Sequence, residues 1–172
     1  MTSTDLESVL LALDAGVRET GWAVFSSGDQ VATGCIGVPG RRRMDAQARL
    51  SHLIQGLDRL VEQWRPVAVA HSQPSGIHWP MPALELLETA LREWCQRHQL
   101  RLFAYSAQTV RAALTGHPNA SREDLAYAVM SGMGLIGQGK TTHEWEAIAV
   151  GHYHLTRQHD GDDSSAAAED AP

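Results

Sequence analysis

The order of the predicted secondary structure restricts the fold of this chain more than any other feature, because three β-type segments precede the first helix. Residues 8–14 form an apolar run that ends in Asp14, and residues 20–26 follow after a short turn. A second turn at 27–29 leads to an alternating segment over residues 30–38. Short turns of this kind join antiparallel strands. We therefore predict that the chain begins with three antiparallel strands.

The rest of the chain alternates between helical and strand patterns. We predict helices at 45–64, 83–98, 107–114, 121–133 and 141–154, strands at 67–70 and 100–105, a loop at 71–82 and a glycine-rich connector at 132–139. An apolar strand that follows a crossover helix fits a parallel position. These elements predict an α/β protein with a mixed five-stranded sheet flanked by helices. That arrangement is the ribonuclease H-like fold, and the same order fits several other α/β folds.

The charge of the chain is unevenly distributed. The formal net charge is −6, and residues 160–172 carry five acidic residues and no Lys or Arg. The remainder is nearly neutral, and thirteen of its fourteen basic residues are Arg. We predict one folded domain over residues 1–157 and an acidic, disordered tail over 158–172, where Ser, Ala, Gly and Asp dominate. Overall charge neither supports nor excludes a nucleic-acid partner.

The composition is that of a cytoplasmic protein with no membrane partner. No apolar stretch approaches the ~20 residues that span a bilayer, and the first residues do not follow a basic-then-apolar export pattern. Cys35 and Cys95 are isolated and lack the spacing of metal ligands, which predicts free thiols.

Three residues form the candidate catalytic set. Asp14 closes an apolar strand, and a carboxylate there must be solvated, paired or bound to a metal, because an isolated buried charge is costly. The alternative is a side-chain turn into the hairpin. His143 and Glu146 are three residues apart on the last predicted helix and share one face. The alternative for this pair is a His–Glu contact on the protein surface. Glu144 fits a capping box with Thr141, which predicts a helix-start residue instead of a ligand.

Two segments are candidates for binding phosphates. Ser121 begins a predicted helix with Arg122 in its first turn, an arrangement that can bind an anion, although plain helix capping also explains it. Arg41, Arg42 and Arg43 form a basic loop suited to backbone phosphates, and a solvated surface loop is the alternative.

These segments resemble the RuvC family of Holliday-junction resolvases over most of residues 8–155. The segment 11–24 is similar to the family's I-D-P-G-x-x-x-T-G opening, with Ala15 where proline is usual. Residues 105–111 resemble its Y-x-P-x-x-V-K stretch, with Arg111 at the last position. Residues 120–125 resemble A-x-K-x-x-V, and residues 142–149 resemble the terminal D/H-x-x-D-A-x-A helix.

The resemblance implies a two-metal phosphodiesterase site. Asp14 would bridge Mg²⁺ or Mn²⁺, and His143 and Glu146 would each supply a ligand. Carboxylates suit Mg²⁺, whereas imidazole suits Mn²⁺ better. The resemblance also implies that Arg111, with the phosphate-binding candidates named above, contacts DNA.

One position departs from the family pattern. The family has a glutamate at the end of the central strand, and we assign His71 to that position. Imidazole in place of a carboxylate predicts a weaker second metal site. Glu85 and Glu88 on the next helix are poor substitutes for it. Glu146 is one methylene longer than the family's aspartate.

The segment after His71 is expected to reach the substrate or a second subunit. Trp79 could stack on DNA bases, or it could pack at a subunit interface. The next helix has an apolar face that fits either the core or a dimer contact: Leu84, Leu87, Leu91 and Trp94. Family members are homodimers, so the resemblance implies a homodimer here.

The sequence suggests three functions, two of them with more support than the third. The first is a metal-dependent, structure-specific endonuclease acting on branched double-stranded DNA, with Asp14, His71, His143 and Glu146 as its catalytic residues. The second is a catalytically impaired RuvC-like protein that only binds nucleic acid. A third, an RNA-processing or nucleotide-binding relative, has little support because residues 132–139 lack a phosphate-loop pattern.

Overall fold

Five strands form one mixed sheet in the computed structural model, which describes residues 8–38, 44–73 and 82–166 with side chains through residue 159. The strands are β1 (Leu10–Asp14), β2 (Glu19–Ser26), β3 (Asp29–Gly37), β4 (Ala68–Gln73) and β5 (Arg101–Ser106). Their spatial order is β3-β2-β1-β4-β5. The first three strands are antiparallel, and β4 and β5 run parallel to β1. The predicted ribonuclease H-like sheet is confirmed.

The described part of the chain also contains five helices: α1 (Ala46–Trp64), α2 (Pro82–Arg97), α3 (Ala107–Thr115), α4 (Arg122–Gly132) and α5 (Thr142–Ala166). Asp45 caps α1, because its side chain accepts a hydrogen bond from the Ala48 amide. Arg65 ends α1 in the left-handed conformation, and Ser106 caps α3. The helix caps predicted at Ser121 and Thr141 are both present, each as a capping box.

The sheet has an apolar core on each face. On one face, side chains such as Leu10 and Ala12 pack against Ile148 and Val129 from α5 and α4. On the other face, alternate residues of the same strands pack against α1 and α2, and this core holds Trp94, the largest fully buried side chain among the described residues. Since side chains alternate along a strand, successive residues of one strand enter opposite cores.

Two boundaries differ from the predicted ones. Residues 71–73, expected in a loop, continue β4 and pair with β5. Helix α5, expected to end at residue 154, extends to Ala166. None of the described helices is long and apolar enough to cross a membrane.

Candidate active site

Asp14 lies at the carboxyl end of β1, in the middle of the sheet. Its backbone pairs with Gly21 of β2. Its Oδ1 atom accepts a hydrogen bond of 3.2 Å from the Ser72 hydroxyl of β4. The Asp14 side chain is 20% exposed, which leaves its carboxylate open to a cleft at this edge of the sheet.

His143 comes from the first turn of α5 and contacts Asp14 directly. Its Nδ1 atom is 2.7 Å from Asp14 Oδ2. The hydrogen bond to Asp14 raises the pKa of His143, against the opposing effect of burial. Asp14 thus stabilises the imidazolium form of His143, as a carboxylate within hydrogen-bond distance does for a histidine. The predicted meeting of the first strand and the last helix is confirmed by this contact.

The position of His143 depends on how α5 begins. Glu144 accepts a hydrogen bond from the Thr141 amide at 2.8 Å and another from the Thr33 hydroxyl of β3 at 2.9 Å. Lys140 also donates to Thr33. These bonds, with Lys140 nearby, hold the pKa of Glu144 below its ordinary value although burial acts in the opposite direction. Glu144 therefore caps the helix start, as predicted, and also joins that helix start to the sheet.

Glu146 lies one turn further along α5 and faces two arginines. Its Oε1 atom accepts a hydrogen bond from Arg111 Nη2 of α3, and Arg122 Nε of α4 is 3.8 Å from the same oxygen. The Glu146 side chain is 9% exposed. Burial raises the pKa of Glu146, and the two guanidinium groups counter that effect. Asp14 and Glu146 line the same cleft with Ser72, Arg111 and Arg122.

The assignment of His71 to this site is wrong. His71 pairs with Leu13, whose side chain enters the core beneath α1 and α2. The His71 side chain is buried on that face, opposite Asp14, near Glu88 and Arg92 of α2. Burial lowers its pKa, and Glu88 acts against this shift.

Ser72 is the β4 residue that faces Asp14, and sequence reasoning missed it. The available signal was the two-residue period of the strand: the register that pairs Leu13 with His71 places Ser72 level with Asp14. Glu88 is bonded to the Gln73 side chain on the far face, so it does not replace the missing carboxylate. Glu85 lies on α2, on the far side of the sheet from the cleft.

The phosphate-binding candidates divide into three groups. Arg111 and Arg122 line the cleft. The Ser121 hydroxyl is used in capping α4, where it bonds with Asp124, so the capping alternative explains Ser121. Arg41, Arg42, Arg43 and Trp79 lie outside the described residues.

The side chains do not form a preformed two-metal site. Both Asp14 oxygens have protein partners, and Glu146 is paired with arginine. Among the described residues, no group of three His, Cys, Asp or Glu side chains could hold a metal ion as arranged. The donors nearest to such a site are Asp14, His143 and Glu146, which include only two carboxylates.

The sheet order and the acidic site at the end of its central strand define a protein of the ribonuclease H-like class. Residues 10–154 match the family model described as crossover junction endodeoxyribonuclease RuvC. The chain belongs to this RuvC family.

Relatives with this family name align with most of the chain. The RuvC protein of Francisella tularensis subsp. novicida is 27% identical over 156 residues, covering 87% of this chain and 90% of the relative. The RuvC protein of Lawsonia intracellularis is 27% identical over 152 residues, with coverages of 86% and 89%.

Two solved structures share the fold. The Thermus thermophilus RuvC structure has a TM-score of 0.72 at 19% identity and covers 89% of this chain and 96% of its own. The structure of T. thermophilus RuvC in complex with a Holliday junction substrate has a TM-score of 0.74 at 19% identity, with coverages of 90% and 96%.

Proposed function

We propose that this protein is a junction-resolving endonuclease that hydrolyses phosphodiester bonds in branched DNA. The observation that carries the proposal is that Asp14 lines one cleft with Glu146 and contacts His143, although β1 and α5 lie near opposite ends of the chain. Carboxylates and imidazole are ligands for divalent cations, and the two arginines beside them are suited to a phosphate. Crossover junction endodeoxyribonuclease is also the printed name of the relatives.

Dependence on Mg²⁺ or Mn²⁺ is part of this proposal and comes from the family resemblance. Asp14, His143 and Glu146 are the residues available to hold an ion. The position where the resemblance implies a third acid is occupied by Ser72, so we expect weaker or single-ion binding in place of a tight pair.

The test is cleavage of a labelled four-way junction in Mn²⁺ or Mg²⁺, compared with a linear duplex of the same sequence. We expect nicked product from the junction and its loss in Asp14→Asn, because that substitution removes the central carboxylate. Asp29→Asn is the matched control, since Asp29 is exposed in β3 at the turn from β2. Equal cleavage by Asp14→Asn and the unsubstituted protein would refute the proposed site.

The second candidate function is junction binding without cleavage. Ser72 favours it, because a hydroxyl replaces the carboxylate that the resemblance implies on β4. Tight binding of the junction with no product in either metal would support this alternative, provided that the protein is folded.

We also propose that the protein acts as a homodimer, which would present two clefts to one junction. The apolar face of α2 is mostly core, because Leu87, Leu91 and Trp94 are buried. Leu86 remains 40% exposed on the same helix and is a candidate contact. The molar mass from light scattering tests the assembly. Roles of Arg41, Arg42, Arg43 and Trp79 on DNA likewise remain proposals.

A further inference from the structure

Glu146 is already neutralised by protein side chains before any ligand binds. Arg111 donates to its Oε1 atom, and Arg122 lies within ion-pair distance of the same oxygen. Both arginines come from different helices, α3 and α4, which meet α5 at this point. Both contacts are made with Oε1, so two positive charges lie against this carboxylate and oppose the binding of a cation to it.

The charge balance of the cleft does not favour a divalent cation. Asp14 and Glu146 supply two negative charges, and Arg111 and Arg122 supply two positive charges. The formal sum is zero even before His143 is counted. One phosphate of DNA would lower this sum by one unit, which favours cation binding.

The two arginines differ in how firmly they are held. The Arg111 side chain is 16% exposed and also contacts the Ala107 carbonyl. The Arg122 side chain is 60% exposed, at the start of α4, and only approaches Glu146. Guanidinium groups bind phosphate with two parallel hydrogen bonds, so a DNA phosphate competes directly with the carboxylate for them.

We propose that Arg111 and Arg122 act as a latch on Glu146, which a DNA phosphate releases, so that the phosphate and a divalent cation bind cooperatively. The inference rests on the proposed function and adds a role for the two arginines as positioning residues. It also accounts for the absence of a preformed cation group among the described residues. Because coupling is reciprocal, the cation must strengthen phosphate binding by the same factor as phosphate strengthens cation binding.

The first test measures Mn²⁺ binding by the full-length protein without DNA, from the electron paramagnetic resonance signal of free Mn²⁺. We expect Arg111→Gln to bind Mn²⁺ about tenfold more tightly than the unsubstituted protein, a typical size for coupling between sites. This gain in Mn²⁺ affinity should disappear in the double variant Arg111→Gln/Glu146→Gln. Arg157→Gln is the control for general charge, because exposed Arg157 lies roughly 16 Å further along α5 than Glu146.

Arg122→Gln provides an independent variant, because its exposed side chain can be replaced without disturbing the core. We expect a gain in the same direction, of about threefold, since Arg122 is further from the carboxylate. Unchanged Mn²⁺ affinity in folded Arg111→Gln and Arg122→Gln would overturn the latch. A gain in Mn²⁺ affinity that persists after Glu146→Gln is added to an arginine variant would also overturn it.

The second test adds a four-way junction at saturating concentration, with the junction alone as blank and intact strands verified on a denaturing gel. The junction should raise the Mn²⁺ affinity of the unsubstituted protein by about tenfold and have a smaller effect on Arg111→Gln. Equal effects on both would contradict the proposal. Junction cleavage is scored separately, so a nuclease without a latch and a latch without a nuclease give different results.

Discussion

Ser72 is the residue of β4 that faces Asp14, and its hydroxyl adds no negative charge to the cleft. It donates a hydrogen bond to Asp14 Oδ1, which a carboxylate at the same position could not do. Asp14 therefore gains a neutral donor at the position where the family resemblance implies a third acid. Metal affinity in oxygen-ligand sites increases with the number of charged ligands.

Ser72→Glu should therefore raise Mn²⁺ affinity, by about tenfold, because it adds a carboxylate facing Asp14. Isothermal titration calorimetry measures the change, with Ser72→Ala as the variant that only removes the hydroxyl. His71→Glu is the matched comparison one residue away. We expect it to lower stability without raising affinity, because residue 71 faces the core beneath α2. A gain in His71→Glu alone would show that the strand register is wrong.

A site residue could be predicted from the sequence when the direction of its side chain depends only on its place at the end of a strand or on the face of a helix. Asp14 ends its strand and His143 shares a helix face with Glu146, so short-range spacing was sufficient for them. On β4 the direction depends on pairing with β1, a contact between residues that are far apart in sequence. A shift of one residue moves a side chain to the opposite face, and this is how His71 replaced Ser72 in the prediction.

At the scale of elements, Gly21 allows α5 to approach the sheet closely. A Cβ atom at Gly21 would overlap the backbone carbonyl of His143. Gly21 is also the strand partner of Asp14, so the glycine allows the helix start to lie beside the carboxylate. The hydrogen bonds of Glu144 with Thr33 and Thr141 then fix the helix at that place.

Gly21→Ala should lower the free energy of unfolding by about 1–3 kcal/mol, the usual cost of an added methyl group in a packed region. It should also reduce junction cleavage, because His143 is displaced from Asp14. Gly37→Ala is the control: Gly37 is also in the sheet, and nothing lies within 4 Å of a Cβ placed there. Urea titration of both variants measures the difference. Equal stabilities would contradict the close approach of α5 to β2.

Most elements follow from the sequence because their signals are local. The helical spacing of α1 and the caps at Ser121 and Thr141 are read within one or two turns. The ends of β4 and α5 could not be predicted from local signals of this kind. Residues 71–73 belong to the sheet because β5 pairs with them. Helix α5 passes residue 157 although the composition changes there.

At the scale of the whole molecule, the sheet lies between two apolar cores, and His71 is a polar residue buried in one of them. The charged groups that face it are Glu88 and Arg92 of α2. Burial keeps the pKa of His71 below its ordinary value of 6.5 in the folded protein. The unfolded chain restores the ordinary value, so between the two pKa values the unfolded state binds more protons. The contribution of His71 to stability must therefore fall as the pH drops below 6.5.

His71→Gln should weaken this acid sensitivity, because glutamine remains polar and does not titrate. The slope from one buried histidine is at most about 1.4 kcal/mol for each pH unit, so the variant should lose less stability than the unsubstituted protein between about pH 6.5 and pH 5.5. Urea unfolding at both pH values measures the difference. His143, whose pKa is raised, acts in the opposite direction but is common to both proteins and cancels. Identical acid sensitivity of the two proteins would mean that His71 becomes protonated in the folded state and is not enclosed between β4 and α2.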